Sequence, residues 1–470
     1  MQKKQQKNIK RAFKKATKKE VEFIKKKDLI FKLIKNIHHF TPDLFDRLKE
    51  ISDFRIMPIY KIEEIVFAGI AIYIFKAGSK NAFNNMNQGK FAKNFYNAFK
   101  FHLPHLDTVD LAMRQIKTDE LEKLKTQLIR ALIEKKVFKK YKMFSQFYNI
   151  SIDGTGVMTI NEANVKHFPN ALFKIYNKGK ENEKIVYFLN VLEAKLVCSN
   201  GFCISLATEW IENPNIEYEK QDCELKAFKR LAEKLKRDFP RLLICIVGDG
   251  LYPCKTIFEI CKKNRWEWIF TFKDGNLPSV WEEVELLAKL QADNQKIIKS
   301  SVVKKDDNNN LIEVDVIKIY SWITSIDYCE YQVHWCKQVE AIEGEIKHTF
   351  IYLSSIHPTK KNIKEIIING RLRFKIENEG FNTQKNLGYG LQHKYSETSE
   401  RATKNYYICM QIGHLINQFF ELQITVKESL KGRATLKNLW IIFIGLFTFE
   451  TIEIEQINEH LNQKTQVRFE

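Results

Sequence analysis

Two aspartates in the chain stand at the end of an apolar run and before a glycine: Asp153 in "FYNISIDGTG" and Asp249 in "RLLICIVGDG". Both runs read as strands, and in open α/β sheets ligands bind outside the carboxyl ends of the strands. Gly154 and Gly250 leave the acids uncovered and let backbone or a phosphate approach closely. A third carboxylate would let the group hold two hard cations, and Glu377 in "RLRFKIENEGFNTQK", on a later helix, is the natural candidate. Oxygen-only ligands select Mg²⁺ or Mn²⁺. Two such ions suit phosphodiester chemistry: about 3.5–4 Å apart, one activates water or a 3′-hydroxyl and the other stabilises the leaving oxygen. Taken singly, an Asp before Gly at a strand end is more often turn chemistry. The combination with a basic chain and a cation-bearing helix around Glu377 makes the catalytic reading the stronger one.

The elements that must position these acids follow from hydrophobic spacing. From Asp28 to Tyr141 apolar residues recur at three and four positions, as in Leu121, Leu124, Leu128 and Leu132, with breaks at Pro42, Pro58 and Pro104. This predicts several helices, one of them N-capped by Thr41. At Phe147 the texture changes to strands: "FYNISIDGTG", "KIVYFLNVLEAKLV" and "FCISLATEWI", with Gly201 at the turn between the last two. A helix N-capped by Asp222 and stopped by Pro240 leads to the buried strand ending at Asp249, then a helix, then "WEWIFTFK". The expectation is an α/β sheet covered by helices. Pro278 to Ser355 reads as antiparallel strands with a polar hairpin tip at Lys304 to Asn310. Two long helical patterns follow, the first running unbroken through Glu377. The predicted organisation is a basic arm over 1–28, a helical DNA-binding region over 29–144, sheet core over 145–277, β-rich insertion over 278–355, second core part over 356–425 and a C-terminal segment over 426–470.

Composition narrows the class of partner. The 470 residues hold 76 Lys and Arg against 57 Asp and Glu, a net charge of +19. Residues 1–28 contribute 12 Lys and Arg against three acids, a local +9, as expected of a solvated tail or an arm for DNA phosphates. The 44% hydrophobic content excludes a disordered or collagen-like chain. The nine cysteines are scattered without a C-x-x-C pair, which argues for reduced thiols and against a zinc ribbon. The longest apolar runs, 65–75 and 439–449, are about half of the ~20 residues a membrane-spanning helix needs, and no secretory signal is visible. A cytoplasmic, nucleoid-associated protein is expected.

The order strand-Asp, strand-Asp, β-rich insertion, helix-Glu resembles the RNase H-fold DDE transposases of bacterial insertion sequences. The group with an insertion before the catalytic Glu carries a Y-x2-R-x3-E-x6-K signature. Here Arg373 and Glu377 match it, Lys385 follows after seven residues instead of six, and Gly370 stands at the Tyr position. The strings "SIDGTG", "KQDCELKAF", "GDGLYPCKTIF" and "IENEGFNTQKNLGYGLQHKY" are similar to one branch of the family, and the resemblance runs from roughly Asp43 to Gln418.

The resemblance implies an RNase H-like mixed sheet, interrupted by the insertion and preceded by a helical region. It implies a transposase that binds transposon-end inverted repeats and carries out cut-and-paste strand cleavage and transfer with two Mg²⁺ or Mn²⁺ ions. Asp153, Asp249 and Glu377 would hold the metals, with Glu379 the competing assignment. Arg373 and Lys385 would hold DNA phosphates, Arg by a bidentate fork and Lys as a point charge. Double-stranded DNA, transposon ends and target alike, and a DNA-dependent homodimer are the expected partners. Asp222 and Glu224 fit structural roles at a helix start. Trp322 and Trp335 fall in the insertion, where related transposases can stack a flipped base, though a sheet tryptophan is more often core. His393 and His414 are isolated. A nuclease without strand joining and an inactive DNA-binding derivative are the rival readings.

Overall fold

A computed structural model describes residues 28–213, 220–273, 275–305, 310–430, 435–463 and 467–469. Residues 1–27 of the basic arm and 306–309 of the expected hairpin tip lie outside the described residues. Seven helices come first: α1 (Asp28–Phe40), α2 (Leu44–Leu48), α3 (Ile62–Ile74), α4 (Lys80–Met86), α5 (Lys90–Phe99), α6 (Leu106–Met113) and α7 (Thr118–Glu134). Strands β1 (Tyr148–Ile160), β2 (Leu172–Tyr176), β3 (Lys184–Val197) and β4 (Cys203–Ile211) follow. Next come α8 (Glu224–Asp238), β5 (Ile244–Gly248), α9 (Lys255–Asn264), β6 (Glu267–Thr271) and α10 (Pro278–Leu290). After the antiparallel β7 (Gln295–Lys305), β8 (Leu311–Tyr328), β9 (Tyr331–Ile342) and β10 (Glu345–Ser354) come α11 (Ile363–Arg371), a π-helical turn over Ile376–Asn382 and α12 (Thr383–Asn386). The chain continues through α13 (Glu400–Glu421), α14 (Ile424–Leu430), α15 (Leu436–Phe449) and α16 (Ile454–Asn462).

The ten strands form one mixed sheet in the order β2-β3-β1-β5-β6-β10-β9-β8-β7, with β4 beside β3. β1 is antiparallel to β3 but parallel to β5, and β5 is parallel to β6. Parallel neighbours need crossovers, which α8 and α9 supply. Every residue of β5 is buried, as a strand covered on both faces should be. β10 pairs antiparallel with β6, so the stretch expected as an insertion extends the same sheet.

The apolar run in α3 is a core element, buried from Ile65 to Ile74, and it lies against α13. The two backbones approach closely at Gly413, where a Cβ would come within 2.6 Å of the Tyr73 Cβ. α7 is tied to the sheet by the buried Lys125, whose Nζ donates to Ser205 Oγ at 3.0 Å and Thr208 Oγ1 at 2.9 Å. The first helices therefore share one hydrophobic core with the sheet. Among the described residues no helix is long and apolar enough to cross a membrane.

Five local expectations are corrected. Asp153 does not end its strand, because β1 continues past it to Ile160, still paired with β3. Residues 278–290 are helix rather than strand, started by Pro278 at its first turn. The helix through Glu377 is broken, because α11 ends at Arg371 and the π-helical turn begins at Ile376. Thr41 does not cap α2; its Oγ1 donates to Ile37 O at 2.8 Å and closes α1 instead. The N-cap of α8 is Cys223 rather than Asp222, which accepts from Glu212 N and pairs with Arg230 at 2.5 Å.

Candidate active site

Register brings the two aspartates together. β1 and β5 pair in parallel from Tyr148 with Ile244 to Ser151 with Val247, and two further residues at the same offset set Asp153 level with Asp249. Neighbouring strands lie about 4.8 Å apart, so the two acids come close where β5 ends, with Asp153 still inside the β1–β3 ladder. Asp153 Oδ1 accepts from Gly154 N at 3.1 Å, and Asp249 Oδ1 accepts from Leu251 N at 2.8 Å.

The segment carrying Arg373 and Glu377 is fastened to the same face of β1. Alternate residues of a strand share a face. Of those, Asn149 Nδ2 donates to Asn369 Oδ1, and Ser151 Oγ donates to Arg373 O at 3.3 Å. Asp153 comes next: its Oδ2 lies 4.0 Å from Arg373 Nη1. Arg373 Nη2 pairs with Glu377 Oε1 at 2.6 Å. The Arg373 side chain is only 12% exposed, and its guanidinium is turned toward the acids. Glu379 goes elsewhere, accepting from Lys375 Nζ at 2.7 Å. Lys385 is exposed.

Burial pushes the Asp153 carboxyl up to about 7; Arg373 opposes this, while Glu377, Glu224 and Asp249 add to it. Asp153 therefore feels all three other acids. Glu224 is the member that sequence reasoning missed. It opens α8 and reaches over Gly154, where a Cβ would stand 2.7 Å from Glu224 Cδ. Its Oε2 accepts from the fully buried Tyr252 Oη at 3.2 Å. Burial raises its pKa, Asp249 adds to the rise, and the Tyr252 hydrogen bond opposes it. An acid opening a helix is explained by the helix dipole alone; the usable sequence signal was a Gly beside Asp153, bare enough for another side chain to cover.

The remaining candidates stand apart from this edge. Trp322 and Trp335 are buried, the latter edge-on to Trp281, and belong to the core. His414 is buried with Nδ1 2.9 Å from Gln384 Nε2, and His393 is exposed beside Tyr395. All nine cysteines are free.

Hard carboxylate oxygens just after the end of β5 and beside it within β1, with a glycine after each aspartate, fit Mg²⁺ or Mn²⁺ by the chemistry of the donor set. Among the described residues, no three His, Cys, Asp or Glu side chains are already gathered as a metal-holding group. Glu377 is engaged by Arg373, and joining the aspartates requires it to exchange that partner for a cation. Compared with protein-family models the chain matches none, and no curated protein matches it.

Proposed function

We propose that the chain is a DNA transposase acting through two-metal phosphodiester chemistry on an RNase H-like core. The observation that carries this reading is the register of β1 and β5, which sets Asp153 level with Asp249 while Arg373 brings Glu377 to the same edge. The strand arrangement, antiparallel through β3 and β4 and parallel through β5 and β6, supports the RNase H-like reading. The β-rich stretch between Asp249 and Glu377 has the place of the family's insertion domain.

The two departures from the transposase signature have structural reasons. The π-helical turn over Ile376–Asn382 is a helix turn with one residue inserted, so the extra residue before Lys385 is absorbed and Lys385 stands about where an α-helical i+7 residue would. At Gly370, where the family carries Tyr, a Cβ would come within 2.9 Å of Tyr352 Cε1, so the place of a side chain is already occupied.

Asp153, Asp249 and Glu377 would hold the ions, which supply Lewis acidity toward the scissile phosphate and an activated nucleophile. The protein's own groups do the rest. Arg373 balances Asp153 and Glu377 and offers a fork suited to a phosphate, and Lys385 offers an exposed point charge. Water cleaves at the transposon end and the freed 3′-hydroxyl attacks target DNA. The net charge of +19 supplies attraction to both DNAs. Two chains, each on one transposon end, would act together.

The test is supercoiled donor DNA carrying the cognate inverted repeats, incubated with Mg²⁺. Wild type should release the element and join it to target, and Asp249→Asn should do neither. Excision by Asp249→Asn at the wild-type rate removes the assignment; cleavage without joined products makes the protein a nuclease instead.

A further inference from the structure

We propose that Glu224 is a fourth carboxylate of the Asp153 and Asp249 centre, with Tyr252 as the positioning residue that fixes it; this rests on the metal-centre reading above. The three-acid pattern of the sequence leaves Glu224 to the helix dipole, yet its carboxylate does not stay at the start of α8. It crosses to the sheet edge and fills the space beside Gly154 that a side chain there would take. Gly154 follows Asp153 and therefore faces the opposite side of β1. Glu377 thus approaches the edge from the face on which Arg373 packs, and Glu224 from the other.

Tyr252 holds Glu224 in place. Tyr252 Oη donates to its Oε2 at 3.2 Å. Tyr252 is itself fully buried, beneath α8 and against Phe228 and Phe270, so the hydroxyl cannot swing away. Its ring also lies where a side chain at Gly248 would be, with Cδ2 at 2.7 Å from a Cβ there. Two glycines, one before Asp249 and one after Asp153, are thereby spent on admitting Tyr252 and Glu224. A purely structural N-terminal acid would need neither, since it interacts with the dipole from solvent. The Glu224 Oε1 oxygen, by contrast with Oε2, has no hydrogen-bond donor among the described residues, and it is the oxygen that lies against Gly154, next to Asp153 in the chain.

Calorimetric titration of Mn²⁺ into the full chain tests the proposal without requiring turnover. Glu224→Gln should weaken Mn²⁺ binding by about tenfold or more, and Tyr252→Phe by less, since partners that orient metal ligands typically contribute about 10–100-fold in affinity. Gly154→Ala guards against a folding defect in Glu224→Gln. Its backbone is compatible with Ala, and the group it displaces is the end of a side chain, so the chain should still fold, with some loss of melting temperature from the unpaired Tyr252 hydroxyl, while Mn²⁺ affinity falls. Asp249→Asn serves as the reference for loss of the centre. Wild-type affinity in Glu224→Gln, or in Gly154→Ala, alongside loss in Asp249→Asn overturns the role of Glu224 alone. Absence of Mn²⁺ binding in wild type overturns the whole centre, and Glu224 with it.

Discussion

The offset that pairs Ser151 of β1 with Val247 of β5, carried two residues on, sets Asp153 within β1 opposite Asp249, the residue that follows β5. Like charges at the spacing of adjacent strands repel, and burial adds to the cost of keeping both ionised. Arg373 offsets part of that cost, its Nη1 lying 4.0 Å from Asp153 Oδ2. An edge built this way is destabilising for the fold and suited to receiving cations.

Removing the Asp153 charge should therefore stabilise the protein while abolishing the proposed strand cleavage. The folded carboxyl sits near pH 7, against about 3.9 in an unfolded chain, so between these values the folded state binds more protons. Metal-free stability then falls as pH rises from about 4 to about 7 and levels off above. Asp153→Asn keeps the acceptor for Gly154 N and should gain about 1–3 kcal/mol at pH 8 and little at pH 4. Urea unfolding across pH measures this; identical pH profiles for the two proteins would refute the stored cost.

Arg373→Gln should show the opposite pattern. Without the guanidinium the charged acids are left facing one another, at a loss of about 1–3 kcal/mol at pH 8, below the about 3–5 kcal/mol of breaking a fully buried pair because the Glu377 side chain is 43% exposed. At pH 5 Asp153 is protonated and the loss should shrink. Equal destabilisation at both pH values would mean that Arg373 acts through packing rather than charge.

The position of Asp249 was legible because an apolar run ending in Asp-Gly announces a strand end, and the continuous run of β5 announces a strand buried on both faces; for Asp153 the same signal misled, because β1 runs on through Gly154 and Gly156 to Ile160 as the partner of β3. The four-residue step from Arg373 to Glu377 was legible and survives as their ion pair. The π-helical turn was not, because nothing in "FKIENEGFN" demands it locally. The segment before it is fastened across the fold, by Asn149 and Ser151 to Asn369 and Arg373. Glu224 was missed for a related reason: helix-start chemistry accounts for an acid there, and only the packing of α8 on the sheet shows what the acid covers. The helix over Pro278–Leu290 was within reach, since Pro at a first turn followed by Glu282, Glu283 and Glu285 is a helix-start signal that the surrounding strands obscured.

Gly370 gives a test of packing against the family pattern. A Cβ there would meet Tyr352 Cε1 at 2.9 Å and Ile269 Cγ2 at 3.0 Å, and both of those residues are buried. Gly370→Ala should cost about 1–3 kcal/mol, as overpacking does. Gly370→Tyr, which would restore the signature, should fail to fold. A soluble Gly370→Tyr protein melting like wild type would show that α11 can lift from β6 and β10 without penalty.

Lys385 tests whether the π-helical turn preserves function despite the altered spacing. Six intervening residues on an α-helix bring a Lys back to nearly the face of the Glu, since seven steps of about 100° fall close to two full turns. Seven intervening residues would overshoot, but one inserted residue in the turn over Ile376–Asn382 takes up the excess. If so, Lys385 still reaches a phosphate beside the centre. Lys385→Ala should then weaken binding to transposon-end DNA and reduce the slope of log affinity against log salt by about one, with no change of sequence preference. Neighbouring Asn386 is also exposed and shares the same short helix, so Asn386→Ala controls for local disruption. An unchanged salt slope for Lys385→Ala would place that lysine off the DNA path and leave the inserted residue without a functional compensation.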